Sequence, residues 1–132
     1  MEGRKASGII LIQGDKMLLQ HRSADAPRNP NRWGLFGGGI EEGETPLDAV
    51  KREAYEELEY TLHNPKLIDE EENTIGDLRL KMYLFVEEYD GQPLVQHEGQ
   101  AYGWFSLDEA LKLNISPTRR AAFERLRDKI FH

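Results

Sequence analysis

The sequence predicts an α/β protein in which one mixed β-sheet lies between helices. Segments with the apolar content and alternation of strands occur before and after a helical segment that begins at Thr45, and the chain ends in another helical segment. The chain has 132 residues, of which 39% are hydrophobic and 31% are charged. This size and composition favour a single folded domain, residues 1–132.

The first part of the chain predicts a pair of strands. Residues 7–13 and 17–21 are apolar-rich runs of strand length, and the Gly-Asp-Lys sequence at 14–16 is suited to a hairpin turn. Residues 22–32 are rich in proline, asparagine and arginine, which indicates an exposed loop.

The central helix has a strong start signal. Thr45 is a suitable N-cap, Pro46 suits the first helical position, and Asp48 lies where it can complete a capping box. Apolar residues then follow at helical spacing and predict a stripe that faces the core. They are Leu47, Val50, Ala54 and Leu58.

More strands are predicted after this helix. Residues 65–72 form a plausible short strand, and residues 78–88 alternate so that both faces are apolar in the second half, which is typical of a central strand. Residues 94–97 and 101–105 predict two further short strands.

The last part of the chain predicts helices. Ser106 and Glu109 form a capping-box sequence for a short helix that ends near Leu113, and Ser116-Pro117 begins a C-terminal helix. The apolar stripe of that helix contains Phe123, Leu126 and Ile130. We interpret its arginines as a solvated face; they are Arg119, Arg120, Arg125 and Arg127.

Three carboxylates share a second stripe of the central helix. Glu53, Glu56 and Glu57 are separated by helical spacings, so their negative charges repel one another and predict a positive partner. Hard divalent cations such as Mg²⁺ or Mn²⁺ take oxygen ligands of this kind. The alternative is a solvated acidic helix face.

The spacing around these glutamates forms a recognisable pattern. From Gly38, five residues lead to Glu44 and seven more to Arg52, which is followed by Glu-Ala-Tyr-Glu-Glu. This resembles the Nudix box, G-x5-E-x7-R-E-U-x-E-E-x-G-U, in which U is apolar. Glu59 stands where the box has its closing glycine, and Tyr60 occupies the apolar position after it. Loss of a C-cap glycine leaves the end of the helix open.

The resemblance implies a Nudix fold and metal-dependent hydrolysis of a diphosphate bond in a nucleoside diphosphate-linked substrate. Glu44 and Arg52 would give structural support, while Glu53 would activate water or add a ligand, although the identity of the general base stays open. The implied Mg²⁺ or Mn²⁺ ligands are Gly38 (or Gly37) through its carbonyl, Glu53, Glu56, Glu57 and Glu98.

Substrate residues are also implied by the resemblance. Arg22 would contact phosphates, and the aromatic candidates for stacking on a base are Trp33, Phe36, Tyr83 and Trp104. The Ser-Ala-Asp-Ala run at 23–26 and the Glu-Gly-Gln run at 98–100 are similar to the MutT-like branch. That branch implies conversion of a nucleoside triphosphate, such as 8-oxo-dGTP, to the monophosphate and pyrophosphate.

Two positions depart from that branch. Gly39 replaces a lysine, and Thr118-Arg119 replaces the asparagine that reads the oxidised purine. The alternatives are therefore a sugar nucleotide or another nucleoside diphosphate-linked substrate, and a non-catalytic nucleotide-binding module of the same fold.

Charge and composition limit the partners. The net charge is −7, which argues against binding duplex nucleic acid through its phosphates, and no apolar run is long enough for a membrane span. Without cysteine, thiolate metal sites and disulfides are excluded. We expect a cytoplasmic protein that acts on a small-molecule nucleotide, as a monomer or a homodimer.

Overall fold

A mixed β-sheet with helices on both faces organises the computed structural model, which describes residues 2–26, 30–97, 99 and 101–131. This confirms the predicted fold class. No helix in these described ranges is long and apolar enough to cross a membrane. The strands are β1 (Glu2–Gln13), β2 (Lys16–His21), β3 (Trp33–Gly34), β4 (Phe36–Gly39), β5 (Lys66–Ile75), β6 (Leu78–Glu88) and β7 (Ala101–Phe105). The helices are α1 (Pro46–Leu58), α2 (Leu107–Ala110), α3 (Pro117–Arg125) and α4 (Arg127–Ile130).

Strand β1 is the centre of the sheet. It pairs antiparallel with β2 and β4 and parallel with β6, and the strand order is β3-β2-β1-β6-β5, with β7 added to β2. Strand β6 therefore lies between β1 and β5, as its two apolar faces predicted. Strand β1 begins earlier than predicted because its polar first residues also pair with the start of β6.

Each face of the sheet is covered by its own apolar layer. On one face Ile9 and Phe85 pack with Val50 and Leu58 of α1. On the other face the side chains of alternate strand positions pack against α2, α3 and α4. This second layer includes Ile10, Leu84, Leu107, Phe123, Leu126 and Ile130. The α1 side and the α3 side of the sheet are thus separate surfaces.

Helix α1 begins as predicted. The Thr45 hydroxyl accepts a hydrogen bond from Asp48 N at 3.0 Å, and Asp48 Oδ2 accepts one from Thr45 N at 3.3 Å. The prediction that Leu47 faces the core is wrong, since this residue is 40% exposed. A residue on the apolar stripe of a helix is buried only where another part of the protein packs against that turn of the helix. At this first turn, the contact that β1 makes is polar, with Ser7 Oγ donating to Pro46 O.

Helix α1 ends at Leu58 without the glycine of the motif. Glu59 adopts a left-handed conformation with φ of 53°, and its N–H donates to Tyr55 O at 2.8 Å. Tyr60 N–H donates to Ala54 O, so the last carbonyls are satisfied as in a glycine-capped helix. The Tyr60 ring is fully buried and serves as the apolar residue of the motif.

Residues 94–97, all of them described, form no strand, so that prediction is wrong. Val95 N donates to Leu58 O and His97 N donates to Glu57 O. The N–H groups of this segment therefore donate to free carbonyls at the C-terminus of α1 and do not pair with a β-strand.

The C-terminal helical segment is divided at Leu126 into α3 and α4, and its predicted apolar stripe is buried. Its arginines do not all lie on a solvated face, as the sequence had suggested. The side chain of Arg119 is only 13% exposed and contacts Glu71, whereas that of Arg125 is 53% exposed.

Candidate active site

Helix α1 and the glycines of β4 bring the site together. Glu57 is buried, with 3% exposure, and its two carboxylate oxygens accept hydrogen bonds from Gly37 N at 3.2 and 3.1 Å. A buried carboxylate requires such partners because desolvation of the charge is costly. Glu57 is therefore held against the strand that precedes α1.

Glu53 lies against the next glycine. Its side chain is 14% exposed, and a Cβ atom on Gly38 would lie 2.6 Å from the Glu53 Cδ and Oε1 atoms. Only a residue without a Cβ lets the backbone approach the carboxylate so closely. Because Gly38 is such a residue, its main chain and the Glu53 carboxylate can share one ligand.

Glu56 is the exposed member of the set, with 58% of its side chain accessible. Arg52 Nη1 lies 2.9 Å from Glu53 Oε1 and 3.1 Å from Glu56 Oε2. The positive partner that the sequence predicted is thus supplied in part by Arg52 itself.

Arg52 is held in place by Glu44. Its Nε and Nη2 atoms donate to the two Glu44 oxygens at 2.8 and 2.9 Å, and Nη2 also donates to Gly39 O at 3.0 Å. The Arg52 guanidinium and the Glu41 N–H lower the pKa of Glu44 to about 2, and Glu44 in turn raises the pKa of Arg52. These contacts link the loop before α1 to the helix, which is the supporting role the motif implies.

The donor set fits a hard divalent cation. Glu53, Glu56 and Glu57 provide carboxylate oxygens beside a backbone that only glycine permits at Gly38. Among the described residues, no three acidic or histidine side chains are arranged as a ready-made metal site, and Arg52 Nη1 lies between Glu53 and Glu56. The metal roles stay predictions.

Glu98, the other predicted ligand, lies outside the described residues. Its described neighbours are close to the site: His97 N donates to Glu57 O at 2.8 Å, and Gly99 lies against the buried Gln20. A Cβ atom on Gly99 would lie 2.6 Å from Gln20 Oε1. The metal role of Glu98 also stays a prediction.

A cleft of about 520 Å³ opens on the α3 side of the same glycines. Arg22 and Trp33 both line it, so the structure brings these two predicted substrate residues together. The Trp33 ring packs edge-on against Phe105, with centroids 5.0 Å apart, which fixes its orientation.

Phe36 also lines the cleft, but the rings of the other predicted stacking residues belong to the apolar layer beneath α1 or pack against it. The Phe36 side chain is 1% exposed in the apolar layer beneath α1, so its ring cannot stack on a base. Tyr83 is paired with Ser7 on the α1 side of the sheet, because the alternate residue Met82 faces the cleft. Trp104 packs against Tyr89. The burial of its ring corrects the predicted substrate role of Phe36, whereas the substrate role of Tyr83 stays a prediction.

The sequence interpretation placed Arg119 on a solvated face and did not single out Glu71, and both line the far end of the cleft. Arg119 Nη1 lies 3.4 Å from Glu71 Oε1, and Arg125 Nη2 lies 3.4 Å from Glu71 Oε2. Burial lowers the pKa of Arg119, and Glu71 opposes this effect. The polar alternation of Asp69 and Glu71 along the predicted strand at 65–72 was the available signal.

A second cavity of about 680 Å³ lies at the other end of β1, where Ile12, Val86 and Ile130 line it. No residue of the acidic motif lines this cavity. The 520 Å³ cleft, in contrast, is lined by Gly37 and Gly38, which contact Glu57 and Glu53 from their other side.

Comparison with known proteins gives the same family as the motif. The family model for the NUDIX domain matches residues 2–126. The 8-oxo-dGTP diphosphatase of Escherichia coli strain K12 is 36% identical over 103 residues, which cover 77% of this chain and 78% of that protein. An RNA pyrophosphohydrolase of Bartonella clarridgeiae is 33% identical over 126 residues, which cover 86% of this chain and 66% of that protein.

Solved structures share the fold. The MutT NUDIX hydrolase from Burkholderia pseudomallei has a TM-score of 0.83 at 24% identity, covering 96% of this chain and 99% of that chain. The solution structure of the Escherichia coli ORF135 protein has a TM-score of 0.82 at 25% identity, covering 98% and 94%. Given the family model over residues 2–126 and the 36% identical relative, together with the motif, the chain belongs to the Nudix family, in its MutT-like branch, and is a pyrophosphohydrolase acting on phosphorus-containing acid anhydrides.

Proposed function

We propose that this enzyme hydrolyses a nucleoside triphosphate to the monophosphate and pyrophosphate with a bound Mg²⁺ or Mn²⁺ ion. One observation carries the proposal: the strand containing Gly37 and Gly38 contacts Glu53 and Glu57 and also lines the 520 Å³ cleft. A substrate in the cleft would therefore present its phosphates to the carboxylates. The similarity to an 8-oxo-dGTP diphosphatase supports a nucleoside triphosphate.

The residues that would hold the metal are the Gly38 backbone, Glu53, Glu56 and Glu57, together with Glu98. When bound, a divalent cation neutralises phosphate charge, polarises the attacked phosphorus and lowers the pKa of bound water.

The chain's own residues supply the rest of the chemistry. A carboxylate of α1 takes the proton of the attacking water, whose oxygen bonds to phosphorus while the bridging P–O bond breaks and pyrophosphate leaves. We assign this base role to Glu53, which lies against Gly38, a residue that lines the cleft. Arg22, which lines the cleft, would bind the phosphates.

Support for the carboxylates would come from Arg52. Arg52 makes a bidentate contact with Glu44, and its Nη1 atom is directed at Glu53 and Glu56. The positive charge of Arg52 would therefore reduce the repulsion between the Glu53 and Glu56 carboxylates before a metal binds. Neither Arg52 nor Glu44 is assigned a chemical step.

The test is phosphate release from a panel of substrates with and without Mg²⁺, through a coupling pyrophosphatase for the triphosphates and a coupling phosphatase for the substrates whose products are phosphomonoesters. The panel contains ordinary and oxidised dNTPs, sugar nucleotides, ADP-ribose and dinucleoside polyphosphates. We expect metal-dependent turnover of dNTPs that is lost in Glu57→Gln and kept in Glu59→Gln, a matched change at an exposed position. Turnover of sugar nucleotides alone would establish the alternative substrate class, and no turnover by folded protein would favour a binding module.

A further inference from the structure

Two segments that are far apart in the sequence hold Glu57 in place. Its carboxylate accepts from Gly37 N at 3.2 and 3.1 Å, and its main-chain carbonyl accepts from His97 N at 2.8 Å. Gly37 belongs to β4, whereas His97 lies between β6 and β7. The orientation of the Glu57 carboxylate therefore depends on how these two segments are fixed.

The side chain of Gln20 in β2 lies against both segments. Gln20 Nε2 donates to Leu35 O at 2.9 Å, two residues before Gly37. Gln20 Oε1 faces Gly99, two residues after His97, because a Cβ atom on Gly99 would lie 2.6 Å from this oxygen. Gly99 also has a φ of 83°, so glycine is the residue that lets the chain approach the amide here. One buried amide thus contacts both supports of Glu57.

Core packing alone does not explain an amide at this position. Gln20 is 0% exposed, and it alternates with Leu18, which belongs to the apolar layer beneath α1. Its Nε2 atom is bonded, but no donor in the part of the chain that the structure describes reaches its Oε1 atom. A buried oxygen without a donor destabilises a fold relative to an apolar side chain of the same size. A methionine or leucine would fill the same space without this cost.

We propose that Gln20 is a positioning residue for Glu57; this inference rests on the metal-dependent hydrolysis proposed above. Its Nε2 atom fixes Leu35 O and so places Gly37 N beneath the Glu57 carboxylate. Its Oε1 atom sets how closely the segment that donates to Glu57 O approaches β2. With both supports fixed, the carboxylate keeps one orientation toward a divalent cation. Groups that hold a metal ligand from behind contribute to metal affinity in this way.

The test replaces Gln20 by methionine, which has a similar size but no N–H donor. Mn²⁺ binding to the free enzyme, measured by electron paramagnetic resonance of the unbound ion, should weaken by roughly 10–100-fold in Gln20→Met. The Mn²⁺ concentration that gives half-maximal dGTP hydrolysis should rise by the same factor. Gln20 is not one of the described residues that line the cleft, so KM for dGTP at saturating Mn²⁺ should change by less than about threefold.

Gln92→Met is the matched control. Thr61 N donates to Gln92 Oε1 and Gln92 Nε2 donates to Thr61 O, both at 2.9 Å, so this glutamine also joins two distant segments. None of the three glutamates of α1 takes part in that bridge. Gln92→Met should therefore leave Mn²⁺ binding unchanged, even if it lowers Tm. In Gln20→Met, loss of the donor to Leu35 O and removal of the unpartnered oxygen oppose each other, so Tm should stay near that of the wild type.

Unchanged Mn²⁺ binding in folded Gln20→Met, or an equal loss in Gln92→Met, would overturn the inference and leave the proposed function intact. If Gln20→Met does not fold, Gln20→Leu makes the same test with the side chain of the neighbouring Leu18, and binding kept there would also overturn the inference. A wild type that binds Mn²⁺ but hydrolyses no dNTP would overturn the proposed function, and the Mn²⁺ affinities would still decide the role of Gln20. A wild type that binds no Mn²⁺ would overturn both.

Discussion

Two regions of the molecule place arginines among carboxylates, and they differ in which charge is left over. On α1, the single guanidinium of Arg52 contacts Glu41, Glu44, Glu53 and Glu56. At the far end of the cleft, Arg119 and Arg125 both contact Glu71, and only Arg125 also reaches Asp69. The first region has unmatched negative charge suited to a cation, whereas in the second region two arginines face the two carboxylates of Glu71 and Asp69.

The two regions also differ in burial. Glu56 is largely exposed, so water and a metal can reach its carboxylate, whereas Arg119 is almost enclosed. Charges near the surface are screened and their side chains can rearrange, while buried charges keep their positions and their preference for a partner. We therefore expect changes on α1 to alter the rate, and changes at the cleft end to alter the choice of substrate.

The largest expected effect separates these two roles. Glu57→Gln should lower kcat by roughly 10²–10³-fold for every substrate alike, because a carboxamide cannot supply the negative charge that a metal requires. The amide oxygen can still accept from Gly37 N, so the fold should persist. Steady-state kinetics on dGTP and dATP check this, and a changed ratio between the two would show that the regions are not separate.

The second largest effect is expected at Gly38 of β4, the residue that lies against Glu53. Gly38→Ala should lower kcat/KM by roughly 10–100-fold, because the added Cβ would displace the Glu53 carboxylate. Gly39→Ala is the control, since a Cβ there meets no atom within 4 Å, and it should cost much less. Equal losses in the two variants would show that the close approach at Gly38 does not matter.

Much of this architecture could be predicted from local sequence. The capping residues of α1, the hairpin after β1 and the doubly apolar strand β6 depend on neighbours along the chain, and the structure confirms them. The end of α1 could not be predicted, because Glu59 adopts the left-handed conformation that the missing glycine would adopt. This conformation is strained for a residue with a Cβ atom, and the local sequence does not indicate it.

The cleft end could not be predicted because it depends on contacts between distant elements. A register shift between Leu67 and Asp69 sets which residues of β5 face α3, and a bulge of this kind leaves no clear trace in the sequence. Arg119 looked like one of several surface arginines until α3 was seen to pack over Glu71. Phe36 looked available to a base until β4 was seen to turn its ring toward α1.

A smaller effect tests the support within the α1 region through its pH dependence. The pKa of Glu44 is about 2 in the folded protein, below its ordinary value of 4.5, so its contribution to stability is present above pH 4.5 and is lost as the pH falls toward 2. Glu44→Gln should lower Tm at pH 7, and the difference from wild type should shrink between pH 4.5 and 2. A difference that stays constant over this range would show that the Arg52 contact does not lower the pKa of Glu44.

The smallest effect concerns the end of α1, where Glu59 stands in place of glycine. Glu59→Gly should raise the free energy of unfolding by about 0.5–1 kcal/mol, because glycine adopts the left-handed conformation without strain. Glu59 also contacts His97 at 2.7 Å, but both side chains are about half exposed, and such pairs contribute little. Glu59→Ala loses the same contact without relieving the strain, so it should be no more stable than wild type. Urea unfolding of the three proteins measures the difference, and equal stability of the glycine and alanine variants would mean that the φ of 53° at this position stores no strain.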